Sequence, residues 1–274
     1  MSQLTTEVPF FVTMPHSGEK IPELTPWLKE LAENVVMADV DRFIDQLYEP
    51  ALQSLLIPFE KTEWHRYAVD LNRIPEDVDC ESVVGSLNKA GTHSEGYHWV
   101  QTKQGERLMS LPMSQETHEK LTQLIYEPFH KGIRKHYDFF KSRGHENVFH
   151  LDAHSMPSKG TKNHRDPGET RAEIVISDCM EFSCHKTYRD LVIVAYVKAG
   201  FKVGYNWPYL GGRVTEVYGK PFKHQHAIQV ELNRSLYMDE VTKKLKPEAE
   251  LIKAKIRAAL AYIKSELPNL GIQD

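Results

Sequence analysis

The chain has 274 residues, 41% apolar and 26% charged, a balance that suits one sizeable soluble domain spanning residues 1–274. A formal net charge of -4 gives no electrostatic footprint for nucleic acid or an anionic membrane, and no stretch approaches the ~20 apolar residues of a membrane span. The three cysteines (Cys80, Cys179, Cys184) do not read as a disulfide framework, Cys179, Cys184 and His185 lack the second pair that a zinc knuckle needs, and the N-terminus has no basic, then apolar, signal-peptide pattern, so a cytoplasmic location is expected.

In chain order, the first strand is expected over Pro9–Met14 and breaks into Pro15-His16-Ser17-Gly18-Glu19. A histidine and a glutamate three apart on one turn suit zinc, but the pair needs a third ligand from elsewhere. A short helix is expected over Pro26–Ala32 and a longer one over Asp41–Ser54, with Asp39, Asp41 and Asp45 at its start. Acidic residues there complement the helix dipole, and one of them is a candidate metal ligand or partner of a substrate ammonium group. Strands are expected over Ser54–Glu60 and Arg66–Leu71, the second ending in Asp70, Asn72 and Arg73. The planar fork of Arg73 and the amide of Asn72 suit a carboxylate.

The stretch Asp77–Arg107 is rich in Gly, Ser, Asn, His and Trp, with a weak strand pattern near Tyr97–Val100. It reads as a long loop insertion that forms a lid or a pocket wall. A helix follows over Gln115–Ser142, N-capped by Ser114, with Leu121, Leu124, Ile125, Phe129 and Ile133 at three- and four-residue spacing. The strand Asn147–Ala153 then delivers Asp152, His154 and Ser155 at its carboxyl end, where open α/β sheets bind ligands. Two strand ends that each carry a histidine are far more specific than either alone, and Asp152 is placed to orient a ligand histidine.

Arg165 and Arg171 lie in a polar loop after His154. Further strands are expected over Ala172–Ile176, Phe201–Tyr205 and His226–Leu232, and helices over Lys186–Ala199 and Lys246–Glu266. Arg213 follows a Gly-Gly turn, with Thr215 and Tyr218 beyond it. In the last strand Ala227, Gln229, Glu231 and Asn233 face one way and Ile228, Val230 and Leu232 the other. A glutamate in a buried strand is costly unless it is paired or working. The alternation of strands and helices implies an α/β fold, a mostly parallel mixed sheet with helices on both faces.

The segments "MPHSG", "DVDRFIDQLY", "RYAVDLNR", "LDAHSM", "GGRVTEVYG" and "HAIQVELNRSLYM", in this order, resemble those of N-formylglutamate amidohydrolases, over roughly residues 9 to 260. The resemblance implies a phosphorylase/hydrolase-like fold, similar to the zinc carboxypeptidases and aspartoacylases. It also implies zinc held by His16, His154 and a third ligand. That ligand is Glu19 or Asp41, with Glu19 favoured because it matches the carboxypeptidase H-x-x-E pair. Glu231 matches the general base, Asn72 and Arg73 the pair that holds a substrate carboxylate, and Arg213 a second carboxylate contact, with Tyr218 beside it. The expected substrate is a small N-acyl amino acid, N-formyl-L-glutamate above all. A carboxypeptidase, a γ-glutamyl amide hydrolase and a metal-free carboxylate-binding protein remain open as alternatives. The loop at 84–107 departs from the shorter segment of dedicated deformylases, which bears on the substrate more than on the reaction.

Overall fold

The computed structural model describes residues 7–272; the first six residues, part of the segment read above for a signal peptide, lie outside them. Six strands form one sheet: β1 Phe10–Met14, β2 Phe59–Lys61, β3 Val148–Met156, β4 Ile174–Ser177, β5 Val203–Tyr205 and β6 Gln225–Asn233. Their order is β2-β1-β3-β6-β4-β5, and the pairs from β2 through β6 are parallel. β4 runs antiparallel to β6 and parallel to β5. This is the mostly parallel mixed sheet that the alternating pattern implied.

Among the described residues there are seven α-helices: α1 Glu33–Val36, α2 Ile44–Ser54, α3 Gln115–Leu121, α4 Glu127–Ser142, α5 Lys186–Lys198, α6 Arg213–Tyr218 and α7 Ala249–Glu266. Alternation along the strands splits the sheet into two faces. Phe10, Val12 and Met14 of β1, Phe149, Leu151 and Ala153 of β3, and Ile228, Val230 and Leu232 of β6 join a core with α2, α5 and α7. On the other face Phe11 and Val148 pack with Phe129, Ile133, Tyr137 and Phe140 of α4 and with Val214 and Tyr218 of α6. No helix among the described residues is long and apolar enough to cross a membrane.

Five expected elements change, the first being the short helix expected over Pro26–Ala32, which is a 3₁₀ helix over Pro26–Glu30. Arg66–Leu71 is a turn-rich loop rather than a strand. Its apolar alternation arises because Val69 and Leu71 enter the core beside α4, whereas Tyr67 and Ala68 enter a smaller cluster with Leu28, Val36 and Trp99. Residues 54–58 end α2 and turn, with Leu56 at φ 52°, so that β2 starts only at Phe59. The expected helix at Asp41 starts instead at Ile44, after Phe43 at φ 70°, which leaves Asp41 in the preceding turn. The helix capped by Ser114 is interrupted by a π-helical stretch, Thr122–Tyr126. Pro128 at the start of α4 has no N–H to donate and would press on the carbonyl four residues back, and the wider turn accommodates it.

Candidate active site

The parallel strands β1, β3 and β6 bring their carboxyl ends to one edge of the sheet, and three side chains converge there. His16 lies in the turn after β1. His154 lies near the end of β3 and pairs in register with Glu231 of β6, on the same face. Asp41 enters from the turn before α2, fixed by a hydrogen bond from its own N–H to the carbonyl of His16 (3.0 Å). The ligand atoms of His16, Asp41 and His154 all lie within 4.8 Å of one another, and all three residues are buried.

Each imidazole is anchored from behind. His16 Nε2 bonds Asp70 Oδ1 at 2.8 Å, and His154 Nε2 bonds Asp152 Oδ2 at 2.8 Å. Both rings therefore turn Nδ1 toward Asp41 Oδ2, at 3.6 Å from His16 and 3.0 Å from His154. Carboxylate-backed histidines of this kind are the usual support of a metal ligand. Asp41 Oδ1 accepts from Ser155 Oγ (3.1 Å) and from Arg234 Nη2 (3.0 Å). Asp70 also accepts from Arg66 Nη2 (2.8 Å) and Trp99 Nε1 (2.9 Å).

Charge in the site follows from these contacts. Burial would raise the pKa of Asp41, but the hydrogen bonds and charge of His154 and His16 hold it well below the carboxylate range. Burial disfavours a charged His154, yet Asp152 and Asp41 raise it well above an ordinary histidine. Glu231 behaves oppositely. Burial pushes it up to about 7 against the pull of His154. Its Oε1 accepts from Gln229 Nε2 at 2.8 Å, while buried Oε2 has no hydrogen-bond partner among the described residues.

These groups open into a cleft of about 220 Å³ that is also lined by Asn72, Arg73, Gly211, Gly212, Arg66, Trp99, Lys103, His164, Tyr209 and Arg234. Its basic side chains are not equivalent. Arg234 is committed to Asp41, Ser155 and the carbonyl of Ala38. Arg66 holds Asp70 and the carbonyl of Asp39, and Lys103 is ion-paired with Glu95. Arg73 binds only carbonyls, Glu95 O at 3.1 Å and Asn72 O at 3.0 Å, and has no acidic partner among the described residues.

The structure brings together His16, Asp41, His154, Glu231, Asn72 and Arg73 of the residues singled out in the sequence. Three others lie elsewhere. Glu19, favoured as the third ligand, is held by Arg42 Nε at 2.8 Å, outside the His16–Asp41–His154 group. Arg213, expected at a carboxylate, begins α6, pairs with Glu216 (3.3 Å) and borders a separate groove with Cys179 and Lys220. Tyr218 is buried, with its hydroxyl on His130 Nδ1 (2.9 Å) and its ring stacked on Tyr137. Of the Gly-Gly turn, the backbone of Gly211 and Gly212 reaches the cleft and the arginine after it does not. Asn72 acts partly as a clamp, since its Oδ1 accepts the N–H of Val214 at 2.6 Å.

Sequence reasoning did not single out Arg66, Lys103, Tyr209 or Arg234. Arg234 carried a signal, because it follows directly on the buried end of β6. The others arrive from loops whose approach no local pattern encodes. The segment 77–107 supplies Trp99 and Lys103 to the lining of the cleft.

A family model for N-formylglutamate amidohydrolase matches residues 8–238. The chain belongs to the N-formylglutamate amidohydrolase family. Within that family it is similar to an N-formylglutamate deformylase from Pseudomonas putida, at 28% identity over 251 residues, covering 85% of this chain and 83% of the relative. A deformylase of the same name from Pseudomonas aeruginosa is 28% identical over 238 residues, with the same coverage. The crystal structure of an N-formylglutamate amidohydrolase from Ralstonia eutropha JMP134 superposes with a TM-score of 0.83 at 22% identity, covering 96% of this chain and 94% of that one. A protein from Agrobacterium tumefaciens shares the fold at a TM-score of 0.67 and 15% identity, covering 96% of this chain and 91% of that one. An amide hydrolase with the α/β fold of this family is therefore the established frame for the site.

Proposed function

We propose that the protein is a zinc-dependent amidohydrolase that cleaves a small N-acyl amino acid, with N-formyl-L-glutamate giving L-glutamate and formate as the preferred reaction. The observation that carries this reading is the convergence of His16 Nδ1, His154 Nδ1 and Asp41 beside a glutamate with one unpartnered oxygen. Two imidazoles and a carboxylate are a zinc donor set, and the group is closed on one side by Asp70 and Asp152 and open to the cleft on the other. His16, Asp41 and His154 would hold the ion, which when bound supplies Lewis-acid polarisation of the amide carbonyl and a more acidic water.

The chain's own groups do the rest. Glu231 Oε2 accepts a proton from the attacking water, whose oxygen adds to the acyl carbon, and Glu231 returns the proton to the nitrogen as the C–N bond breaks. Burial raises this carboxyl above its ordinary range, which favours holding the proton between the two transfers. Arg73 takes the substrate carboxylate, and Asn72 keeps the Arg73 segment registered against α6. The cleft is smaller than the roughly 300–1,000 Å³ typical of drug-sized ligands, which favours a substrate of amino-acid size over a peptide. The relatives' names favour the formyl group and glutamate.

Zinc content of protein purified without added metal, together with rates on a panel of N-formyl, N-acetyl and dipeptide substrates, tests the proposal. About one zinc per chain and a preference for N-formylglutamate are expected. Turnover that persists after complete metal removal would overturn the zinc assignment, and a preference for dipeptides would overturn the substrate.

A further inference from the structure

Behind His154 a line of polar side chains runs into the core along the α4 face of the sheet, and none of it touches the cleft. Thr13, His150 and Asp152 are fully buried, and Tyr137 is 2% exposed. Thr13 Oγ1 lies 2.5 Å from Asp152 Oδ1 and 2.7 Å from His150 Nε2, and Tyr137 Oη lies 3.2 Å from His150 Nδ1. On the same face Phe11 is stacked on the His150 ring at 4.3 Å, and Ala227 lies beside His150 in register. Burying so many polar groups is costly unless every hydrogen bond is made, and a fully made network is rigid.

The hydrogens in this line can be placed by elimination. A threonine hydroxyl has one proton to give, and a carboxylate can only accept. The Thr13 proton therefore goes to Asp152, and His150 must donate to Thr13 from Nε2. Burial pulls His150 down to about 4 and so keeps the ring neutral, which leaves Nδ1 as the bare nitrogen that the Tyr137 hydroxyl fills by donating. The line is polarised in one direction, Tyr137 to His150 to Thr13 to Asp152. At its near end Asp152 Oδ2 accepts from His154 Nε2, which leaves His154 Nδ1 as the nitrogen that faces Asp41.

We infer that Thr13, held by His150 and Tyr137, is a positioning residue that fixes the orientation of Asp152 and thereby presents His154 Nδ1 to the metal. This rests on the metal reading of the site. Without the hydroxyl, Asp152 loses the donor that locks one of its oxygens and is free to rotate away from His154.

The test is the zinc affinity of the full-length protein, measured by competition with a chromophoric chelator, alongside the melting temperature of the metal-free form. Thr13→Val keeps the side-chain shape and removes the hydroxyl. It should weaken zinc binding by roughly 10-fold or more, the range seen for residues that support metal ligands. Thr13→Ser should restore wild-type affinity. Tyr137→Phe, at the far end of the line, should weaken binding in the same direction by less, and it decides the matter if Thr13→Val does not fold. Wild-type protein that binds no zinc would overturn the metal reading and this inference with it. Wild-type binding with unchanged affinity in folded Thr13→Val, or in Tyr137→Phe where that variant decides, would overturn this inference alone.

Discussion

Glu231 and the group formed by His16, Asp41 and His154 are assigned different work, and single substitutions separate them. An amide at 231 cannot take up a proton, so Glu231→Gln should lower kcat by roughly 10²–10⁴-fold. Its zinc content should match wild type by elemental analysis, and lost metal would instead make Glu231 a ligand. The third ligand is tested by rank. Asp41→Asn should weaken zinc binding more than Glu19→Gln, because Asp41 Oδ2 faces both histidines whereas Glu19 faces Arg42. The opposite ranking would move Glu19 into the site. His16, His154 and Glu231 were legible in the sequence because each sits at or just beyond the end of a strand with a clear apolar pattern. The choice between Asp41 and Glu19 was not, because it turns on the ion pair of Glu19 with Arg42, 23 residues away in the chain.

Among the elements, α6 shows where local pattern stops informing. Its six residues follow two glycines, and the sequence reads there as a turn. Its start is held both locally, by the Gly212 N–H donating to Thr215 Oγ1 (2.9 Å), and by a tertiary contact, the Asn72 side chain accepting the N–H of Val214. Gly212 permits that contact, since a Cβ there would lie 2.1 Å from Asn72 Nδ2. Gly212→Ala should therefore cost about 1–3 kcal/mol by chemical denaturation and raise KM as the Asn72–Arg73 segment shifts. Unchanged stability and KM would show that the clamp is slack. β6 was read correctly because its two faces differ in kind, apolar toward α5 and α7 and polar toward the cleft. Arg66–Leu71 was misread because its alternation divides residues between two clusters rather than between two faces of a sheet.

At the scale of the whole molecule, buried histidines set the response to acid. Burial pulls His65, His130 and His226 down to about 4 and His98 to about 3. Geometry agrees for two of them: His65 Nδ1 accepts the N–H of Tyr67, and His226 Nδ1 accepts that of His185, so each ring is held neutral. The unfolded chain protonates its histidines near 6.5, above these folded values. The stabilisation is therefore complete above about pH 6.5 and is lost as pH falls toward 4, at roughly 1–2 kcal/mol per pH unit for each group. Melting temperatures of the metal-free protein should fall steeply over that window, and a flat profile from pH 7 to 5 would contradict the assignment.

The wall of the cleft that carries Trp99 and Lys103 has a core of its own, in which Trp99 and Leu108 pack with Leu28, Val36 and Tyr67. The proposed ligands and base hang from strand ends and from the turn before α2, which belong to the main sheet and its covering helices. Wall residues that do not touch those supports can therefore change the shape of the cleft, whereas Trp99, whose Nε1 donates to the Asp70 carboxylate behind His16, ties the wall to a proposed ligand. An exchange within residues 77–107 that keeps Trp99, and Val83 and Tyr97 of the α4 core, would reshape the cleft and leave the reacting groups where they are.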